Sequence, residues 1–209
     1  MHRYFIKTPW LVKQVFRSYT WHFPRSEHAV YLTFDDGPHP VITPWVLSEL
    51  KTYGAKATFF CVGENVAQHP GVFRRILAEG HAVGNHSQHH PNGWDTPTET
   101  YIADVEQASR HIQSALFRPP YGRIKKAQAK GVRALLGPRT KIIMWDVLSC
   151  DFDTAFSKEQ CLKNVLQNVQ PGSIIVFHDS EKAAPNLMYA LPAVMRQLAA
   201  KNYAFRTIL

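Results

Sequence analysis

The sequence predicts a single α/β domain built on parallel strands, either an open sheet or a barrel. Short β-rich runs alternate with helical patterns from residue 27 to residue 209, as in folds whose parallel strands are joined by crossover helices. No repeat, low-complexity tract or Pro/Gly/Ser-rich linker divides this region. The 209 residues, 45% of them hydrophobic and 12% aromatic, suffice for one buried core and argue against disorder.

Seven short runs are the predicted strands. They are rich in β-branched and aromatic residues, and most are followed by a segment with helical spacing. The runs are Ala29–Phe34, Ala57–Val62, His81–Asn85, Leu116–Arg118, Ile142–Trp145, Ser173–Phe177 and Tyr203–Ile208.

The segments between these runs carry the signals of helices. Thr43 followed by Pro44 is typical of an N-cap with proline at the first helical position. A helix predicted over Gly71–Glu79 stops at Gly80, a residue common after helix C-termini. Further helices are predicted over Thr98–Ile112, Ser157–Val169 and Asn186–Ala200.

The net charge of +8 comes from two acid-free segments rather than from the whole chain. Residues 1–26 hold five basic residues, and residues 118–141 hold eight. Because the charge is local and no nucleic-acid-binding motif accompanies it, we do not expect a nucleic-acid partner. We predict a basic N-terminal extension over residues 1–26 and a domain over residues 27–209.

Within the extension, Pro9–Tyr19 is predicted to form an amphipathic helix. Such a helix either covers one end of the domain or lies on an anionic membrane surface. The sequence shows neither a secretory signal nor a membrane-spanning run, and its three cysteines form no CxxC pair. We therefore expect a cytoplasmic protein, with peripheral membrane contact through residues 9–19 as an open alternative.

Ionisable and metal-binding residues follow five of the predicted strands. Parallel sheets and barrels build their chemistry at the C-terminal ends of strands, so we expect these side chains to converge. They are Asp35 and Asp36 after the first run, His86 and His90 after the third, Arg118 at the fourth, Asp146 and Asp151 after the fifth, and His178 and Asp179 after the sixth.

The histidines and the first two aspartates indicate a metal site. His86 and His90 are four residues apart, a spacing that lets both imidazoles reach one ion, and His86 with His89 is a rival pair. Neighbouring residues of an extended chain point in opposite directions, so one of Asp35 and Asp36 can bind the cation while the other acts as a base. Two histidines and one aspartate leave positions open for water and substrate, as metal-assisted hydrolysis requires.

Two further residues would complete a hydrolytic site. Arg118 precedes two prolines, and its guanidinium is suited to hold a carboxylate in one orientation. His178 ends the apolar run Ile174–Phe177, and an imidazole that titrates near neutral pH is suited to donate a proton.

Together these residues resemble the five ordered motifs of the polysaccharide deacetylases, also called family 4 of the carbohydrate esterases. The likeness spans about residues 28–209. It implies a distorted (β/α) barrel of about seven strands and a metal-dependent hydrolase that removes N-acetyl groups from the amino sugars of a glycan. The motifs correspond to Thr33–Pro38, His86–Pro91, Arg118–Gly122, Trp145–Phe152 and Val176–His178.

The resemblance also implies what the individual residues do. Asp36, His86 and His90 would bind a divalent metal, usually zinc, with cobalt, nickel and manganese as alternatives. The implied catalytic residues are Asp35 as general base, Arg118 as its orienting partner, His178 as general acid and Asp151 as the residue that tunes it. In the substrate pocket, the main-chain N–H of Tyr121 would hold the oxyanion, while Phe152 and Val176 would contact the acetyl methyl group.

Three departures from the family pattern bear on substrate preference. Leu148 stands where the fourth motif has its first acidic residue, Phe152 replaces a tryptophan and Val176 replaces a leucine. Asp146, two residues before Leu148, is a candidate replacement for the missing charge.

Two other functions stay open. One is an amide hydrolase that acts on a small non-sugar substrate. The other is an inactive, metal-bearing glycan-binding protein, although such a protein has no need of both a base and an acid.

Overall fold

Eight short parallel strands form one sheet in the computed structural model, which describes residues 5–209. The first four residues of the predicted extension therefore lie outside the described part of the chain. The strands are β1 (Ala29–Asp35), β2 (Thr58–Cys61), β3 (Ala82–Asn85), β4 (Leu116–Phe117), β5 (Lys141–Ile142), β6 (Val147–Leu148), β7 (Ile174–His178) and β8 (Ala204–Phe205).

The sheet curls into a half-barrel whose two edges are close neighbours in the chain. Its order is β5-β4-β3-β2-β1-β7-β6, with β8 paired to β1 outside this path. Only residues 143–146 separate the edge strands β5 and β6. Seven strands on the path confirm the distorted (β/α) barrel that the sequence predicts.

One predicted strand differs from the structure for a topological reason. The run Ile142–Trp145 is not a continuous strand, because the chain changes partner there. β5 pairs with β4, and β6 pairs with β7 on the other side of the sheet. The intervening residues connect two edges of one curled sheet.

Eight α-helices are found among the described residues, and seven of them cover connections between strands. They are α1 (Trp10–Val15), α2 (Ile42–Thr52), α3 (Gly63–Gln68), α4 (Pro70–Ala78), α5 (Thr98–Ser109), α6 (Lys126–Leu136), α7 (Lys158–Leu166) and α8 (Ala184–Ala200), with a 3-10 turn at Pro120–Gly122.

The N-terminus of α7 agrees with the sequence prediction, although the helix ends at Leu166 rather than Val169, and the start of α2 differs from the prediction. The Ser157 hydroxyl accepts a hydrogen bond from the Gln160 N–H at 3.2 Å, and the Gln160 side chain accepts one from the Ser157 N–H at 2.8 Å. Thr43 does not cap α2, which begins one residue earlier at Ile42. Its hydroxyl is instead directed to the carboxylate of Asp179.

The core lies on both faces of the sheet. β1 is buried along its whole length, as expected of a central parallel strand covered on both sides. Leu32 and Phe34 pack in the outer cluster, between the sheet and the helices, whereas Tyr31 packs inside the curl with Phe60. Because side chains alternate along a strand, Asp35 projects on the same face as Tyr31, toward the interior.

Residues 5–26 pack along the junction of the two sheet edges. The carbonyl of Ile6 accepts a hydrogen bond from the Leu148 N–H at 2.9 Å, and the Thr8 N–H donates to the carbonyl of Asp146 at 3.0 Å. Further along, the Thr20 N–H donates to the carbonyl of Ile142 at 2.9 Å. The segment thus satisfies backbone groups that the neighbouring strands leave unpaired.

Asp146 holds the same segment through its side chain. Its fully buried carboxylate accepts hydrogen bonds from Lys7 at 2.6 Å, from Ser173 at 2.6 Å and from Lys13. Burial alone would raise the pKa of Asp146, but these donors outweigh it and lower the pKa below its ordinary value. The suggestion that Asp146 replaces the acid missing at Leu148 is therefore wrong, since its charge is used to hold the extension.

The helix predicted over residues 9–19 is shorter in the structure and divides its apolar residues between two sides. Val12 packs against a buried cluster, whereas Trp10, Leu11 and Val15 of α1 are exposed. Within residues 5–209, no helix is both long and apolar enough to cross a membrane.

We predict that Asp146→Ala lowers the free energy of unfolding by about 2–3 kcal/mol, because it leaves Lys7 and Lys13 without their charged partner. Urea denaturation measures this loss, with Glu106→Gln on the surface of α5 as the control. The folded-state pKa of Asp146 lies below its unfolded value, so the stabilisation is present at neutral pH and is lost as pH falls through the folded pKa. An Asp146→Ala protein as stable as Glu106→Gln at pH 7 would contradict this role.

Candidate metal and catalytic site

The predicted site residues meet at the C-terminal ends of the strands. Asp35 ends β1 and His178 ends β7, and the two residues are in register across the parallel pair. His86 follows β3, Arg118 follows β4 and Asp151 follows β6. The convergence expected from the strand ends is present in the structure, except that Asp146 faces the N-terminal segment instead.

Asp36, His86 and His90 form a cluster with metal-ligand spacing. The Asp36 Oδ1 atom lies 3.3 Å from His90 Nε2 and 3.8 Å from His86 Nε2. One ligand atom from each of the three residues lies within 4.8 Å of the others. The rival ligand His89 points elsewhere, with its Nδ1 atom 2.6 Å from a carboxylate oxygen of Asp104.

The cluster fits a divalent cation on three observations. The Oδ1 atom of Asp36 is buried and has no hydrogen-bond partner among the described residues, an arrangement that is costly without a ligand. His86 Nδ1 lies 2.7 Å from the carbonyl of Arg118, which makes Nδ1 the protonated nitrogen and leaves the Nε2 lone pair facing Asp36. Burial lowers the pKa of His86 to about 3 and also lowers the pKa of His90, so both are neutral at pH 7.

Backbone strain is concentrated at this cluster. Asp36, Ser87, His90 and Tyr121 have φ values of 78°, 67°, 56° and 59°, in the left-handed region that residues other than glycine rarely adopt. Each such residue costs about 1–3 kcal/mol and persists only where its surroundings hold it in place. Local hydrogen bonds do so here: the Ser87 N–H, for example, donates to Asn85 Oδ1 at 2.7 Å.

Asp35 is held by Arg118, which is fully buried. The guanidinium donates to Asp35 Oδ1 at 2.6 Å and to Thr33 Oγ1 at 2.7 Å, and it lies 4.1 Å from the ring centroid of Phe60. Because the guanidinium is always charged, Asp35 has a fixed orientation and a permanent positive neighbour. A carboxylate held in this way is suited to take up a proton.

His178 faces the opposite charge environment from His86. Its Nδ1 atom lies 2.8 Å from Asp151 Oδ1, and its backbone N–H donates to Asp151 Oδ2 at 2.8 Å. Burial alone would lower the pKa of His178, but the Asp151 carboxylate, assisted by Asp36 and Asp35, raises it to about 9. The imidazole is therefore protonated at neutral pH and can act as an acid through Nε2.

The three residues predicted for the substrate pocket lie around this site at different depths. Tyr121 sits in the 3-10 turn with its ring 4.6 Å from that of His90. Phe152 packs edge-on against the His178 ring, with centroids 4.7 Å apart. Val176 is buried two residues before His178, on the same face of β7.

Two supporting residues were not given a role in the sequence analysis. Asp179 is fully buried and accepts hydrogen bonds from the Gly37 N–H at 3.1 Å and from the Thr43 hydroxyl, so it holds the turn that carries Asp36. Burial raises the pKa of Asp179 to about 7. Its position directly after His178 was the available signal.

Asp104 supports the turn between His86 and His90 in the same way that Asp179 supports the turn of Asp36. Its Oδ1 atom accepts hydrogen bonds from the backbone N–H groups of Gln88 and His89 at 2.8 and 3.1 Å. No sequence signal pointed to it, because it lies on the surface-facing pattern of α5 and reaches the turn only through the fold.

Comparison with known proteins shows which family the chain resembles. The family model for polysaccharide deacetylases matches residues 23–136, more than half of the chain. A peptidoglycan-N-acetylglucosamine deacetylase of Bacillus cereus is 31% identical over 194 residues, covering 90% of each chain. A chitooligosaccharide deacetylase of Azorhizobium caulinodans is 35% identical over 162 residues, covering 74% of this chain and 75% of the relative.

The fold is similar to that of a solved relative over nearly its full length. The crystal structure of a peptidoglycan N-acetylglucosamine deacetylase superposes with a TM-score of 0.82 at 33% sequence identity. The superposition covers 96% of this chain and 95% of the relative.

We predict that the His178 imidazole titrates near pH 9 and that Asp151→Asn lowers its pKa by at least about two units, since burial then acts without the opposing carboxylate. NMR titration of the histidine ring signals in metal-depleted protein measures both values. Asp153→Asn, which removes a nearby charge that does not contact His178, is the matched control. If the Asp151→Asn protein still titrated near pH 9, the assignment of Asp151 as the tuning residue would be wrong.

Proposed function

Because the chain belongs to the polysaccharide deacetylase family, we propose that it is a metal-dependent hydrolase that removes N-acetyl groups from the amino sugars of a glycan. The observation that carries this proposal is that one group suited to accept a proton and one suited to donate a proton lie beside the metal cluster. Asp35 is held as a carboxylate by Arg118, and His178 is held as an imidazolium by Asp151. Two titratable groups with opposite protonation states are typical of acid–base catalysis.

Asp36, His86 and His90 would hold the metal. A bound divalent cation supplies Lewis acidity toward the amide carbonyl and lowers the pKa of water. Two imidazoles and a carboxylate form a donor set that suits zinc, with cobalt, nickel and manganese as alternatives.

In the proposed reaction Asp35 takes the proton of the attacking water as the water oxygen bonds to the acetyl carbon. Arg118 keeps the carboxylate in a fixed orientation until this step. The main-chain N–H of Tyr121 donates to the developing oxyanion, an interaction worth about 3–4 kcal/mol in comparable sites.

His178 completes the reaction. Its Nε2 proton is transferred to the sugar nitrogen as the C–N bond breaks, so that acetate and a free amine leave the site. A positioned acid of this kind contributes about 10²–10⁴-fold to the rate. Phe152, beside the His178 ring, and Val176, below it, form the apolar surroundings that we assign to the acetyl methyl group.

Peptidoglycan-type and chitin-type N-acetylglucosamine polymers are the proposed substrate classes, because the relatives are named for them.

A cytoplasmic location stays a prediction from the sequence. The three cysteines, Cys61, Cys150 and Cys161, are buried thiols.

The two histidine roles can be separated by measuring metal and turnover on the same protein. We predict that His86→Ala loses bound metal and activity together, whereas His178→Ala keeps stoichiometric metal and loses about 10²–10⁴-fold in kcat. Metal content is measured by elemental analysis, and His111→Ala serves as the control. A His178→Ala protein without metal, or with full activity, would overturn the assignment.

Acetate release from a panel of glycans tests the reaction itself. We expect release from N-acetylated chitooligosaccharides or peptidoglycan fragments, its loss with a chelator and its return when zinc is added. The panel also includes O-acetylated glycans and small N-acetylated amides without a sugar. Turnover only of the small amides would favour the non-sugar amide hydrolase, and glycan binding without any acetate release would favour the inactive binding protein.

A further inference from the structure

An unusual share of exposed apolar surface lies on the N-terminal segment. Phe5, Trp10, Leu11 and Val15 are between 62% and 72% exposed, and Phe16 is 43% exposed. Large side chains that remain this accessible within one short segment mark a surface that contacts something else. We call the patch formed by Trp10, Leu11, Val15 and Phe16 the α1 apolar face.

The α1 apolar face is presented by a firmly attached helix. Trp10, Leu11 and Val15 fall within about 140° of one another on the helical wheel. The opposite side of α1 carries Val12, which packs against a buried cluster, and Lys13, which pairs with the buried carboxylate of Asp146. The exposed residues therefore cannot turn inward without breaking this ion pair.

Basic side chains border the same face. The end of α1, the residues that follow it and one side of α6 form a shallow cleft in which Val15, Phe16 and Tyr19 meet Lys126, Lys130 and Arg133. Within residues 5–209, no carboxylate lies within 4.0 Å of these three basic groups. The cleft thus joins an apolar surface to uncompensated positive charge.

We propose that the α1 apolar face docks on membranes that contain anionic lipids, with Lys126, Lys130 and Arg133 contacting the headgroups. Aliphatic Leu11 and Val15 beside aromatic Trp10 and Phe16 match the acyl and interfacial layers of a bilayer. Sugar rings would require several polar partners for their hydroxyl groups, whereas the indole N–H of Trp10 is the one side-chain hydrogen-bonding group that these four residues carry. A second copy of the chain would bring the same cations against one another across a two-fold interface.

This docking is independent of the hydrolytic site, since none of its residues contacts the metal cluster, Asp35 or His178. It would place a rigid enzyme at a membrane surface through a segment that also joins the two edges of the sheet. The charge complementarity makes the interaction dependent on both lipid charge and ionic strength.

The test is co-sedimentation with vesicles of phosphatidylcholine alone and with vesicles of phosphatidylcholine and phosphatidylglycerol in equal parts. We expect the wild-type chain to bind the anionic vesicles and to be released by salt. Trp10→Gln/Leu11→Gln/Val15→Gln should weaken this binding at least about tenfold, and Lys126→Gln/Lys130→Gln about fivefold for each charge removed.

Matched controls separate the patch from general surface changes. Val41→Gln, at a residue 66% exposed away from α1, and Lys51→Gln on α2 should bind vesicles as the wild type does. Acetate release from a soluble oligosaccharide should be unchanged in every variant, so loss of docking is distinguishable from failure of the proposed reaction. Leu11→Gln alone is measured as well, in case the triple variant fails to fold.

Three results would overturn the proposal. The first is wild-type binding that is equal on neutral and anionic vesicles or absent from both. The second is a folded triple variant that binds like the wild type. The third is a concentration-dependent dimer, seen by analytical ultracentrifugation, that the triple variant abolishes while vesicle binding is missing, which would assign the face to a second copy.

Discussion

The buried contact between Arg118 and Asp35 connects the fold to the site. One guanidinium donates to Asp35 and Thr33 on β1 and to the carbonyls of Ile143 and Met144 between the sheet edges. The backbone carbonyl of Arg118 also sets the tautomer of His86. A fully buried cation is tolerated only when it is paired and fully hydrogen-bonded, so the curl of the sheet has to bring these strands together. The orientation of Asp35 as the base and the free Nε2 lone pair of His86 as a metal ligand therefore both depend on Arg118.

The pKa values of two histidines in one site are shifted in opposite directions by their surroundings. His86 is buried beside another imidazole, and its pKa falls to about 3. His178 is buried against Asp151, and its pKa rises to about 9. Burial acts on both in the same sense, so the difference comes from the charge that each ring faces. The arrangement leaves one imidazole free to donate a lone pair and the other free to donate a proton.

The strained turns that carry the metal ligands depend on residues outside the family motifs or at their borders. Asp104 on α5 holds the histidine turn, and Asp179 holds the turn of Asp36. The N-terminal segment has a similar supporting part at the sheet edges, where Asp146 binds Lys7 and Lys13. The positive charge of the two acid-free segments therefore serves two local purposes: lysines of the first attach the N-terminal segment, and basic residues of the second border the α1 apolar face.

The amino-acid sequence by itself determined the order of strands and helices, the residues at the strand ends and the metal-ligand types, because these depend on local periodicity and on short motifs. By spacing alone it could not select His90 over His89, and His90 was implied only by the resemblance to the family; in the structure His89 contacts Asp104 instead. It also could not foresee that Ile142–Trp145 changes partner, that Asp146 turns away from the site, or that α1 leaves its apolar residues exposed. Each of these depends on groups far apart in the chain, such as Lys7 and Asp146, which meet only when the sheet has curled.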